Sequence, residues 1–399
     1  MSIVQLALFG IFLSLSALSL AVSYIVFQDY YSPVGLLGLV WFGAISLAVL
    51  RLVPEHHTRW SLITWGIIFL SMFSFVCGFT VIYRYINVDR ISADYTLEKR
   101  YLQIIIKILF ILGFSSFIIM IYRFNVSVGL EYYFDHPVRA RHEFRITGLY
   151  HLFLLNCFNI ILIIGYMLRY GGSLAHVSIL FCSLASLPFN GKRRLTIVAI
   201  VASFFVYRYV LDRYGSIYQF LLVGISVIGF FLSYAYIFNS PDAVLRPYLY
   251  LTTPFDNINY IILNEENRYY GLRTFQSVLK LLLVQDLLGL PENYSHIFYG
   301  DQYNAATYLM PLYYDFGLLG VVIGPFILGI MSALLYLYMK IRNTIISITV
   351  YAITATSIIF AFFGPFYTLV SITEFMILGI MLIVIYNTID VYIEFVKPL

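Results

Sequence analysis

Ile3-Val-Gln-Leu-Ala-Leu-Phe-Gly-Ile-Phe-Leu-Ser-Leu-Ser-Ala-Leu-Ser-Leu-Ala-Val-Ser-Tyr-Ile-Val-Phe27 contains no charged side chain and no proline, and its reading decides the fold. A helix that crosses a hydrocarbon core of about 30 Å needs about 20 mostly apolar residues. This run supplies them. A signal-peptide core is shorter, about 7–15 residues, and follows a basic segment; no basic residue precedes this run. It reads as a retained membrane span. Comparable runs recur at 32–53, 60–83, 101–122, 149–168, 173–189, 195–211, 216–239, 316–339, 344–363 and 373–393. In lipid each backbone polar group must be satisfied within its own segment, so these runs are expected to be helices. The expected fold class is all-α, a polytopic integral membrane helical bundle of about 11 spans.

Composition agrees. The 399 residues are 61% hydrophobic and 11% charged, with a mean hydropathy of +0.87, whereas soluble domains carry about 25% charged residues. One bundle fits in this length, with no separate soluble domain. The net charge of +4 is too small for a nucleic-acid partner. Cys77, Cys157 and Cys182 lie inside apolar runs and imply neither a disulfide framework nor a metal cluster.

The connections between runs are mostly short, with one exception from Ser240 to Tyr313. Long loops tend to be functional or disordered, and this one is too aromatic for disorder. The domain organisation expected is a single transmembrane domain over 1–399, with 240–315 as one large extracytoplasmic loop containing short helices. Asn239-Ser-Pro241 and Gly289-Leu-Pro291 punctuate it. Within 271–288, Leu272, Phe275, Leu279, Leu282 and Leu283 fall at helical spacing. A short amphipathic interfacial helix is expected there, its polar face carrying Arg273, Gln276 and Lys280. If the loop faces outward, ten lysines and arginines fall inside and 13 outside, Lys107 within a span completing the 24. The positive-inside bias therefore opposes this orientation, unless outer arginines are retained for an anion.

Such arginines are present. Asn190-Gly-Lys-Arg-Arg194 opens a span, and Arg246, Arg268 and Arg273 lie in the long loop. Guanidinium forks bind phosphate bidentately, although basic residues at a span end also suit lipid headgroups. The loop region carries eight carboxylates, Asp242, Asp256, Glu265, Glu266, Asp286, Glu292, Asp301 and Asp315. Asp301 and Asp315 sit near its membrane boundary and are candidate bases; Asp315 is also placed to cap a helix starting at Phe316. Glu374, at the start of the last span, is a third candidate, since ionisable residues in spans are often functional. His296 is the one loop histidine, and His56-His57, His136 and His142 lack the spacing or companion carboxylates of a zinc site. Tyr303 and Tyr308 are candidates for stacking on sugars, within a loop whose ten tyrosines also suit an interfacial belt.

Asn304-Ala-Ala-Thr-Tyr-Leu309 with Tyr314-Asp-Phe-Gly-Leu-Leu-Gly320 resembles the element that closes the large periplasmic loop of Wzy-type polymerases of O-antigen and other oligosaccharide repeat units. Asn-Gly-Lys-Arg-Arg-Leu195 is similar to a small-residue and basic motif upstream in that family and in O-antigen ligases. The layout of the whole chain matches, and the residue-level likeness covers about 190–195 and 300–320. The resemblance implies a GT-C-like membrane glycosyltransferase in the bacterial cytoplasmic (inner) membrane. It would join undecaprenyl-diphosphate-linked oligosaccharides into O-antigen or capsular polysaccharide, with no metal or other cofactor. Membrane lipid and a chain-length regulator protein are the further partners implied. Diphosphate binding carries over to Arg193 or Arg194 and to Arg246, Arg268 and Arg273. The related ligases place a histidine before the corresponding element; here Asn304 and Thr307 occupy that neighbourhood, and Asn304 joins Asp301, Asp315 and Glu374 as a catalytic candidate. The alternatives are a ligase-like glycosyltransferase and a polysaccharide flippase or transporter. Transporters usually show two related halves with midplane charges, and neither is visible in the sequence.

Overall fold

A computed structural model describes residues 2–54, 57–86, 95–129, 131–132, 149–190, 193–211, 245–264, 269–282, 284, 307–364 and 370–396. Among these residues the secondary structure is helical throughout. The helices are α1 (Ile3–Phe27), α2 (Pro33–Leu50), α3 (Leu62–Tyr85), α4 (Tyr95–Ser127), α5 (Leu149–Tyr170), α6 (Leu174–Ser186), α7 (Arg193–Val210), α8 (Leu245–Asn264), α9 (Gln276–Leu281), α10 (Leu309–Arg342), α11 (Ile345–Ile359) and α12 (Val370–Val396). Eight of them are long and apolar enough to cross a membrane, namely α1–α5, α10, α11 (with the short 3₁₀ turn that follows it) and α12. The protein is therefore a multi-pass membrane protein. The expected spans at 173–189 and 195–211 are shorter apolar helices, and the one at 216–239 lies outside the described residues.

Helix starts follow from local chemistry. Ser32 accepts from Gly35 N–H with Pro33 opening α2, and Ser61 accepts from Thr64 N–H to open α3. Each hydroxyl satisfies an amide that the helix cannot.

The chain forms two compact units. The first comprises Met1–Val88, Ser216–Leu337 and Thr354–Thr373. Its helices meet through small residues, the usual device where lipid supplies no hydrophobic drive for association. A side chain on Gly35 would meet Ser23 and one on Gly38 would meet Ser19, joining α1 to α2. Between α3 and α10 the approach is reciprocal. A Cβ on Gly78 would lie 2.1 Å from Phe326 O, and one on Gly329 would lie 2.2 Å from Phe75 O. One face of α1 keeps Ile11, Leu18 and Val22 exposed, as a lipid-facing helix should. At one end of this unit the Tyr308 amide donates to Ala361 O at 2.8 Å. At the other, Tyr336 Oη donates to buried Asp29 at 3.1 Å.

The second unit comprises Asp89–Gly215, Tyr338–Ile353 and Glu374–Leu399. Here α5 is central, with α4, α6 and α7 against it. Gly165 admits Ile345 and Val206, and Gly379 admits Val350. Glu98 is wholly buried and accepts from Arg169, Tyr170 Oη and the Ile345 amide at the start of α11. Arg169 also donates to Asn343 O at 2.6 Å. His151 and Glu374 pair at the other end of α5, about 27 Å away at 1.5 Å per residue. Within each unit, alternate connections thus gather at opposite ends, as a serpentine chain requires.

Replacing Gly329 with Leu is expected to force α3 and α10 apart, at a cost of about 1–3 kcal/mol or more. The check is a lower thermal midpoint in detergent than for the equivalent change at Gly10, which has nothing within 4 Å.

Candidate functional site

The polar face of α8 is the first element of the site. Thr252, Asp256 and Asn259 are three to four residues apart and so share one face, and all three are buried. That face receives the connection between α2 and α3. Asp256 Oδ2 lies 2.6 Å from His57 Nδ1. Its Oδ1 accepts from Thr58 N–H at 3.1 Å, Thr58 Oγ1 at 3.2 Å and Trp60 Nε1 at 2.9 Å. Asn259 Oδ1 accepts from Ser61 N–H at 2.9 Å and Thr64 Oγ1 at 2.7 Å. Thr252 Oγ1 is 3.4 Å from His57 Nε2. Tyr248, edge-on to His57, accepts the Leu52 amide at 2.9 Å. Burial, with the Asp256 charge adding to it, pushes the Tyr248 hydroxyl above its ordinary pKa.

This constellation looks like a proton-transfer dyad, because a carboxylate on Nδ1 fixes the imidazole tautomer. The His57 side chain, however, is only 1% exposed. With four donors on Asp256, the arrangement is a clamp that holds the 57–61 connection on α8. His57 therefore does have a companion carboxylate, which its sequence neighbourhood did not reveal because Asp256 is 199 positions away.

The second element joins the long loop to α10. A turn with positive φ at Tyr270 and Gly271 brings Arg273 and Thr274 to Asp315. The Asp315 carboxylate accepts the Arg273 amide at 3.3 Å and the Thr274 amide at 2.6 Å. The Arg273 guanidinium lies 3.8 Å from the Tyr314 ring centroid and 4.2 Å from that of Tyr269. Those rings are nearly perpendicular, and both faces attract the cation. Just beyond, Gly317 at φ 59°, ψ −137° kinks α10, a conformation open in practice to glycine alone.

This geometry corrects two expectations. Asp315 does not cap a helix at Phe316: its carboxylate accepts from the Arg273 and Thr274 amides of a neighbouring turn instead. The short helix expected within 271–288 does not carry Arg273 on a wet face. The described helix there is α9, six residues long, and Arg273 is 4% exposed while Phe275 and Leu282 are 53% and 65% exposed. The two tyrosine rings take the cation inward, which turns the apolar side chains outward.

The other candidates divide as follows. Tyr308 is buried, edge-on to Trp41, so its ring faces the protein interior rather than a sugar. Glu374 belongs to the second unit and pairs with His151. Arg193 and Arg194 open α7 and Arg246 lies in the first turn of α8, but their side chains lie outside the described residues. Arg268, Asp301, Tyr303 and Asn304 lie outside them altogether. His151 escaped the sequence reading, although a histidine in the first turn of a span is a usable signal.

Asp256→Ala is expected to destabilise the protein by about 3–5 kcal/mol, because it strands buried donors and the imidazole. Asp315→Ala should raise hydrogen exchange at the Arg273 and Thr274 amides about 10–100-fold, the equivalent of one or two lost charge-assisted hydrogen bonds. Thermal unfolding in detergent and mass-spectrometric exchange measure the two effects.

Compared with known proteins, the chain matches no family model, no curated protein and no solved structure.

Proposed function

We propose that this protein is a membrane glycosyltransferase that polymerises lipid-diphosphate-linked oligosaccharide repeat units at the outer face of a bacterial cytoplasmic membrane. The bundle would be of the GT-C kind, and the product O-antigen or capsular polysaccharide. One observation carries the reading. Tyr314 and Asp315, from the element that resembles the polymerase loop ending, are the residues that hold Arg273 of the long loop. The supposed signature and the supposed anion-binding arginine are thus parts of one structure.

The chemistry asked of such an enzyme is modest. A diphosphate leaves well once its charge is neutralised, so preorganised cations can supply much of the rate. Arg273 is preorganised: its backbone is pinned by Asp315 and its side chain is restrained by two rings. Arg193, Arg194, Arg246 and Arg268 are the further cations assigned to the diphosphate. The acceptor sugar then needs orientation and a group to take its hydroxyl proton.

The test is genetic and biochemical together. Deleting the gene should replace long-chain polysaccharide with single capped repeats, whereas loss of a flippase would leave no surface repeat. Complementation with Arg273→Ala should cut long-chain polymer at least about tenfold, the equivalent of one lost charge-assisted contact. Arg273→Lys should also fall short, because an ammonium lacks the planar fork. Polymer of wild-type length and amount with both variants would sink the diphosphate role of Arg273. Unchanged polysaccharide in the deletion strain would sink the function.

A further inference from the structure

Lys107 is the one charged residue between 101 and 122, the apolar run of α4. It lies about 9 Å inside the start of that run, at 1.5 Å per residue. Its side chain is exposed, and Ile104 and Ile111, its neighbours on the helix surface, are 58% and 61% exposed. Lys107 therefore stands on a lipid-facing side of the second unit. Charges within spans usually turn inward and pair. Here no carboxylate pairs with Lys107 among the described residues. Glu98, the one acid of α4, is wholly buried and is held by Arg169 and Tyr170.

Arg100, Gln103 and Lys107 follow at i, i+3 and i+7 and so share one stripe of α4. Arg100 is also exposed, and it too has no carboxylate paired with it among the described residues. The stripe is tied to α5 and α6. Gln103 Nε2 donates to Tyr166 Oη at 2.7 Å, and the Tyr166 ring stacks on that of His176, 4.6 Å between centroids. His176 lies within electrostatic reach of Lys107. Its Nδ1 accepts the Ser173 amide at 3.3 Å, which leaves the proton of the neutral ring on Nε2. In the other direction the same stripe becomes purely apolar at Ile111 and Ile118, which are 61% and 49% exposed.

We propose that this stripe of α4 binds the headgroup of an anionic phospholipid such as phosphatidylglycerol. The lipid phosphate sits between Lys107 and Arg100, and an acyl chain lies along Ile111 and Ile118. Helical side chains tilt towards the helix N-terminus. The Lys107 ammonium thus reaches out towards the interface, its stem packed along apolar surface. Arg100 stands about 10 Å nearer that interface, and its fork suits phosphate oxygens. A bound phosphate neutralises a charge that lipid tails cannot solvate. A zwitterionic lipid carries a cation of its own beside the phosphate and so repels the second basic side chain, whereas an anionic lipid does not. The inference does not depend on the polymerase reading.

The experiment measures retention of added phosphatidylglycerol or phosphatidylcholine by the full-length protein, using native mass spectrometry from detergent. Each cation near an anionic headgroup should contribute roughly fivefold, so the wild-type protein should prefer phosphatidylglycerol about 25-fold. Lys107→Leu and Lys107→Gln should each reduce the preference to about fivefold, and either one combined with Arg100→Gln should abolish it. Lys107→Arg should keep it. In phosphatidylcholine nanodiscs the thermal midpoint of Lys107→Leu should equal or exceed that of the wild type, because an unpaired charge has left the span. Equal binding of the two lipids by the wild type, or an unchanged preference in the double variants, would overturn the site. An equal loss with Arg123→Gln, at the other end of α4, would overturn it in favour of general attraction between a basic protein and acidic lipid. Displacement of the lipid by inorganic phosphate at the same concentration would overturn it in favour of a free-anion site.

Discussion

A carboxylate held away from water must be surrounded by donors, and much of this protein's architecture follows from that requirement. Burying an unpaired charge costs far more than any single contact returns. Asp256 is met by an imidazole, an amide, a hydroxyl and an indole. Glu98 is met by a guanidinium, a phenol and the first amide of α11. Asp315 is met by two consecutive amides. Each set of donors comes from a different part of the chain, so each carboxylate fixes the position of a connection that apolar packing alone would leave free. Asn156 and Asn159 depart from this pattern. Their side-chain amides are buried without a hydrogen-bond partner among the described residues, in the stretch where Gly113 brings α4 against α5.

Packing between the spans obeys a second constraint. Lipid is as apolar as leucine, so burying leucine drives nothing, and close approach of backbones is needed for helices to gain from contact. The paired glycines Gly78 and Gly329 meet that need between α3 and α10. The kink at Gly317 has a different purpose. It divides α10 into two helical segments two residues after Asp315, the residue that accepts from the Arg273 turn.

Rigid satisfaction and chemical reactivity pull in opposite directions. A carboxylate with a full set of donors is a fastener, and Asp256 is one despite its histidine. A group that does chemistry must keep something in reserve for the transition state. Arg273 is restrained between two rings at the boundary of the long loop, and His151, paired with Glu374, is the more exposed of the two described histidine–carboxylate pairs. His57 and His151 make the same pairing in different surroundings, one ring enclosed and the other partly open.

The all-α class and the positions of most spans were legible along the chain. So was the concentration of polar residues in 240–315. All of these depend on hydrophobicity summed over about 20 neighbouring residues or on a short local pattern, and neighbours in sequence suffice to define them. What only the tertiary structure decided is which polar groups meet. His57 finds Asp256, Arg273 finds Tyr314 and Asp315, and His151 finds Glu374 across 223 positions. Nothing at either end of such a pair encodes its partner's address, because helix ends become neighbours only when the spans pack. For the same reason the stretch after Gly271 read as an amphipathic helix with a wet arginine. Its spacing was helical, but one of the two rings that draw Arg273 inward, Tyr314, is distant in sequence and meets it only in space.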